Sequence, residues 1–203
     1  MTGPDGCPGI QLNRFQGTPL MTKHSALIKT AVLLFSLVFA IGFKCLAQNS
    51  QPSEYQIKAA FIYNFARFVD WPTQAFADST SPMTIGLLGE NVFGDNLQQA
   101  INGKTIKGHP LQFRQFDSIS NATNCQVLFI SSSEKSHLSK ILTCLQGTCI
   151  LTVGETDDFI GDGGMINLKI IDQKVRFEIN NDAAKKAGLT ISSKLLSLAI
   201  NSP

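Results

Sequence analysis

Three short segments hold the side chains best suited to chemistry. The first is Ser131-Ser132-Ser133-Glu134, with His137 four residues past Ser133. A hydroxyl beside an imidazole could begin acyl transfer, because the imidazole can take the hydroxyl proton. No G-x-S-x-G elbow surrounds these serines, and hydroxyls followed by an acid in a first turn are the pattern of a helix cap. The second is Gly89-Glu90-Asn91-Val92-Phe93-Gly94. Its glycines let a backbone approach a ligand, and a helix start behind it offers free N–H groups to an anion. It is neither G-x-G-x-x-G nor a P-loop, since the lysine is missing. The third is Gly154-Glu155-Thr156-Asp157-Asp158-Phe159, then Gly161-Asp162-Gly163-Gly164. Its acids could hold a cation, but not at the spacing of an EF-hand loop. These residues imply no catalytic group, no metal and no cofactor. Glu90, Asn91 and Ser132 remain as candidates for binding a small ligand.

The elements that must carry these loops follow from periodicity. Ser53 to Asp70 predicts a helix capped by Ser53, with Ile57, Ala60, Phe61, Phe65 and Phe68 at helical spacing. Trp71-Pro72 ends it. Met83 to Gly89 predicts a buried strand, Asn91 to Ile101 a helix, and Lys104 to Phe116 a short edge piece followed by a strand. Cys125 to Ser131 is an apolar run suited to the centre of a parallel sheet. Ser133 to Leu145 predicts a helix on Leu138, Ile141, Leu142 and Leu145, and Cys149 to Val153 the next strand. Met165 to Ile171 and Lys174 to Ile179 predict a hairpin through Asp172-Gln173, with Arg176 and Glu178 facing out. Asp182 is the expected cap of the closing helix or helices, broken at Gly188, with Ile191, Leu195, Leu196 and Leu198 burying the inner face. Alternating strands and helices predict an α/β fold: a single-domain sandwich with a mostly parallel sheet flanked by helices, plus a C-terminal hairpin and helix. Loops at the carboxyl ends of such strands are where this architecture holds ligands.

The front of the chain reads as an export signal. Lys23, His24 and Lys29 precede the apolar run Thr30 to Phe43, and small Ala47 stands before polar Gln48. That pattern predicts a signal peptide over residues 21–47, cleaved after Ala47. Lys44 argues against lipidation at Cys45. Residues 1–20 are rich in Gly and Pro and aperiodic, an extension that does not belong before a signal, with Met21 the natural start. Of the 17 Lys and Arg, four (Arg14, Lys23, Lys29, Lys44) precede Gln48, and of the 15 Asp and Glu only Asp5 does. The exported part, residues 48–203, is therefore close to neutral and has no electrostatic footprint for nucleic acid. It keeps Cys125, Cys144 and Cys149. Export permits disulfides. Cys144 with Cys149 across a tight loop, or Cys125 with Cys149 at the starts of neighbouring strands, are the feasible pairs, and an unbridged state is the alternative. No CxxC occurs, and His109 and His137 lie far from the thiols in sequence, so metal binding is not expected.

The segments EYQIKAAFIYNFARFVDWP, IGLLG, CQVLFISSSE, ILTVGETDDFIGDGGMINL, VRFEIN and GLTISSKLLSLA, in this order, resemble the YfiR family over nearly all of Glu54 to Ala199. The resemblance implies an exported α/β sandwich that forms homodimers. It implies a periplasmic repressor of an inner-membrane diguanylate cyclase, or a regulator of a kinase, which an outer-membrane lipoprotein can sequester. It also implies a partner-facing surface around Glu178 in FEIN, with Ile166 in GGMI a second candidate. Cys125 matches a family cysteine. Its family partner would fall within IGLLG and a second family bridge near Ile160 and Asn167, where this chain has no thiols. The expectation is thus a non-enzymatic periplasmic regulator of cyclic di-GMP signalling and biofilm formation. A periplasmic small-molecule sensor using Glu90, Asn91 and Ser132 is the rival reading.

Overall fold

The computed structural model describes residues 52–200. The expected signal peptide and the residues before it lie outside them. Seven strands form one sheet: β2 (Met83–Leu88), β3 (Thr105–Ile106), β4 (His109–Phe116), β5 (Val127–Ile130), β6 (Leu151–Gly154), β7 (Ile166–Ile171) and β8 (Lys174–Ile179), in the order β3-β4-β2-β5-β6-β7-β8. The five central strands run parallel, and the two edge strands β3 and β8 pair antiparallel. A separate two-residue strand, β1 (Val69–Asp70), pairs with β9 (Thr190–Ile191). The mostly parallel α/β sandwich expected from the alternation of elements is the architecture observed.

Strands β2, β5 and β6 are buried along their whole length, and they carry no charged residue, with Thr84 and Thr152 the polar side chains among them. Two apolar layers cover them. Helix α1 (Glu54–Phe68) lies on one face together with α2 (Asn96–Ile101), α4 (Asn181–Lys186) and α5 (Ser193–Leu196). Helix α3 (Leu138–Cys144) lies on the other, with Leu138, Ile141, Leu142 and Leu145 buried as their spacing predicts. Helix α1 starts on a full capping box: Ser53 Oγ accepts from Gln56 N–H and Gln56 Oε1 accepts from Ser53 N–H. It stops at Phe68, and Trp71 turns its indole N–H to the Gln126 carbonyl at 3.2 Å.

Several boundaries differ from the sequence reading. The inward stripe of α1 is Ala59, Ile62, Phe65 and Ala66, while Ala60 is exposed. Helix α2 begins five residues late, because the Asn91 carboxamide folds onto its own loop, accepting from Phe93 N–H at 3.1 Å and donating to the Gly94 carbonyl at 3.2 Å. Gly94 then takes a positive φ of 54°, which interrupts helix growth. Residues Ser132–His137 form a 3-10 turn before α3. Asn180, not Asp182, caps α4, its Oδ1 accepting from Ala183 N–H at 3.0 Å. Leu198 points outward rather than into the core. The expected turn Asp172-Gln173 is present, with φ of 50° and 58°, as a two-residue hairpin connection of right-handed twist requires.

The loop from β6 to β7 is built around one ring. Phe159 is fully buried, and a Cβ added at Gly154 or at Gly164 would lie 2.2 Å from that ring. Both glycines are therefore needed for close approach. We expect Gly154→Ala to destabilise the protein by about 1–3 kcal/mol in urea unfolding, the usual cost of overpacking a filled site. A variant as stable as the parent would show that the ring can move aside.

Candidate functional site

The crevice where the parallel architecture would place a ligand is closed here. The loops after β2 and β5 meet directly: Ser133 Oγ accepts from Glu90 N–H at 2.9 Å. Phe93 fills the space behind them, edge-on to Phe129 at 4.8 Å and to Tyr55 at 5.3 Å between ring centroids. Asn91 is engaged within its own loop, Glu90 is exposed, and Ser132 lines a groove. Ser133 accepts from Glu90, and the serine beside the His137 ring nitrogen is Ser136, 3.4 Å away. That imidazole is exposed beside Glu134, 3.7 Å away. Among the described residues no cluster of three or more His, Cys, Asp or Glu could hold a metal.

The groove that Ser132 lines has a volume of about 420 Å³. It runs between the N-terminal turn of α1 and the tip of the β7–β8 hairpin, with Lys58, Glu155, Lys169, Ile170 and Ile171 along it. Its floor is an ion pair that composition alone does not reveal. Lys58 is 4% exposed, and its ammonium lies 2.5 Å from a Glu54 oxygen and 2.6 Å from a Glu155 oxygen. The Tyr55 hydroxyl donates to Glu155 at 3.5 Å. Burial opposes the charge on Lys58, but the hydrogen bonds and attraction from Glu155 and Glu54 outweigh it and raise its pKa above the ordinary lysine value. Burial, helped by the neighbouring Glu155 charge, raises the Tyr55 hydroxyl as well. This pair bolts α1 to the loop after β6, 97 residues along the chain.

The hairpin beside the groove has one face covered by α1, while the other is covered near its base and open toward its tip. Val175, Phe177 and Ile179 pack on α1, with Phe177 at 5.1 Å from Phe65 and 5.5 Å from Phe61 between centroids. No residue of β7 or β8 joins the apolar layer under α3. On that second face Glu178 is the expected outward residue, and Lys169 donates to both of its oxygens at 2.9 Å. Asn167, its cross-strand neighbour, is fully buried; its amide donates to the Thr156 carbonyl at 2.9 Å. Asn167 Oδ1 and Thr156 Oγ1 have no hydrogen-bond partner among the described residues. Ile166, the other expected partner residue, is fully buried in the layer under α1. It is a core side chain and presents nothing to a partner. The exposed apolar residues of this region are instead Ile170 and Ile171, 48% and 40% exposed at the hairpin tip. The strand pattern could have located them, because they end an apolar run just before a turn.

The anticipated Cys144–Cys149 bridge is not formed; Cys125, Cys144 and Cys149 are all free thiols. The sheet itself separates them. Cys144 ends α3 on one face, while Cys149 packs against the layer under α1 on the other. The β5–β6 register, extended by two residues, sets Cys125 opposite Cys149, yet Cys125 turns into the α3 layer and donates to the Ala122 carbonyl at 3.1 Å. Burial pushes its thiol up to about 12.

Comparison with known proteins supplies the relationship. The family profile described as YfiR/HmsC-like matches residues 55–200. The chain belongs to the YfiR/HmsC-like family. This is a family of periplasmic regulators within cyclic di-GMP signalling. Among curated proteins none matches the chain. Among solved structures, a conserved domain protein from Vibrio cholerae O1 biovar El Tor is similar at 12% identity and a TM-score of 0.53, over 74% of this chain and 60% of that one. An ABC domain in complex with L-Trp from Streptococcus pneumonia matches at 14% identity and a TM-score of 0.44, over 60% of this chain and 55% of that one. The chain thus spans less than two thirds of either structure's length. The first likeness concerns the fold alone. Among the described residues no helix is long and apolar enough to cross a membrane.

The bolt at the groove floor can be tested on stability. Lys58→Ala would leave the Glu155 carboxylate buried without its cation, and we expect it to cost about 3–5 kcal/mol in urea unfolding at neutral pH. The folded pKa of Lys58 lies above its unfolded value, so its contribution is complete below pH 10.5 and is lost as pH rises through the folded pKa. The gap between parent and variant should therefore hold from neutral pH to about pH 10 and narrow beyond it. A cost under about 1 kcal/mol would place the pair among weak surface bridges.

Proposed function

We propose that this protein is a non-enzymatic periplasmic repressor that docks on the periplasmic part of an inner-membrane diguanylate cyclase and lowers cyclic di-GMP and biofilm formation. The observation that carries the reading is the β7–β8 hairpin, which leaves the outer part of one face uncovered and sets two half-exposed isoleucines at its tip. Such a patch, rimmed by charge, suits a protein contact. The signal peptide over residues 21–47 brings the chain to the compartment where this contact occurs. A repressor of this kind acts by binding one state of its target more tightly than another, with no bond made or broken. Release follows when a competitor, such as an outer-membrane lipoprotein, occupies the same face. The chain acts as a homodimer.

Deleting the gene should raise cellular cyclic di-GMP, and the wild-type chain supplied in trans should restore it. Ile170→Glu combined with Ile171→Glu should fold and reach the periplasm but fail to restore it. Unchanged cyclic di-GMP after deletion would end the repressor reading. Full restoration by the double variant would move the contact elsewhere on the molecule.

Small-molecule sensing is the second reading, favoured by a largely apolar cavity of about 330 Å³ beside Trp71, Phe76 and Met83. His109 stacks on Phe76 there at 3.9 Å between ring centroids. Thermal-shift screening of the purified chain against metabolite classes tests it; a ligand-dependent rise lost in Phe76→Ala would establish it.

A further inference from the structure

The chemistry of the partner, which rests on the docking role proposed above, can be read from the charges of the hairpin face. The β7–β8 register sets Lys169 directly opposite Arg176, two cations on the same open face. Lys174 extends the row, two residues before Arg176 and on the same side of the strand. Like charges placed directly opposite on a sheet destabilise it. Only half of this juxtaposition is relieved. Glu178 holds Lys169 with both oxygens, whereas Arg176 and Lys174 have no carboxylate within 4.0 Å among the described residues. Ile171 shares this face, while Ile170, paired with Val175, points to the opposite one. The outer edge of β8 is already engaged at Phe177, whose carbonyl accepts from Ile200 N–H at 3.0 Å, so a partner approaches over the face and not as an added strand there.

We propose that this face takes an acidic, partly apolar segment of a partner protein, whose carboxylates meet Arg176 and Lys174 while its apolar side chains cover Ile171. Charge complementarity of this kind sets register and speeds encounter. Glu178 is then a positioning residue: it fixes Lys169 and leaves the other two cations free for the partner. An anionic lipid surface is the weaker occupant, since three cations, one of them paired, give little pull on a membrane.

The probe is a short synthetic peptide alternating Val and Glu, with versions carrying Gln or Lys in place of Glu, titrated against the purified full domain by fluorescence anisotropy. We expect the Glu peptide to bind at least about tenfold more tightly than the Gln peptide, and the Lys peptide not to bind. Lys174→Glu combined with Arg176→Glu should lose that preference with an unchanged melting temperature, while Lys185→Glu on α4 should retain it. Equal binding of Glu and Gln peptides, or equal binding by the double variant, would overturn the assignment. So would binding to phosphatidylglycerol vesicles without binding to the Glu peptide. Cyclic di-GMP measured with the same double variant separates the two claims. Full repression by a variant that has lost the peptide refutes the acidic partner and leaves the repressor standing; no repression by the wild type refutes the repressor whatever the peptide does.

Discussion

A sheet of parallel strands that is apolar on both sides must be covered on both sides, and the rest of this molecule is arranged by that requirement. Strands β2, β5 and β6 carry Val, Leu, Ile and Phe toward both faces. Burying one such side chain is worth about 1.5–3 kcal/mol, so an uncovered face would forfeit much of the stability of a domain this size. Helix α1 and the C-terminal helices close one side, and α3 with the Phe159 loop closes the other. The apolar part of the second cover ends before β7, where the loop carrying Thr156 still buries Asn167. Toward the hairpin tip the same face is exposed and its residues become charged. The border between covered and uncovered sheet is where the groove, the hairpin tip and the unpaired cations come together.

The ends of the parallel strands illustrate how one architecture can lose its usual use. In an open α/β sheet the crevice beyond the carboxyl ends holds the ligand. Here Phe93 fills that crevice and Ser133 ties its two walls. Farther along the same rim, Lys58 and Glu155 are buried together, an arrangement that gains little over an apolar pair but penalises any displacement of one partner. Its consequence is rigidity. The N-terminus of α1 and the loop after β6 are fixed relative to each other, and the hairpin emerges from a firm base.

Much of the architecture was legible because its signals are local. Ser53 with Gln56, Trp71-Pro72 and Asp172-Gln173 each act through neighbours in the chain, and each appears in the structure where the residues imply. Alternation alone sets Arg176 and Glu178 on the face of β8 away from α1. Helix α2 is five residues shorter than its apolar stripe predicts, because the folding of Asn91 onto its own loop competes with helix and the stripe does not register that competition. Leu198 has the spacing of an inner helix face, but the short α5 ends before it.

The sequence by itself determined the period of each element, the parallel character of the sheet and the kinship of the chain, because these depend on side-chain order and on backbone preferences within a few residues. Only the tertiary structure decided which face each element covers. It also decided how far each cover reaches: Ile166 and Ile170 point to the same face of β7, and only Ile166 lies beneath the layer under α1. The choice of face is why Cys125 and Cys149 stand in register yet on opposite sides of the sheet. The Lys58–Glu155 pair belongs to the same class. Bringing two charges together across 97 residues is a property of the closed fold, and nothing in the spacing of either segment encodes it.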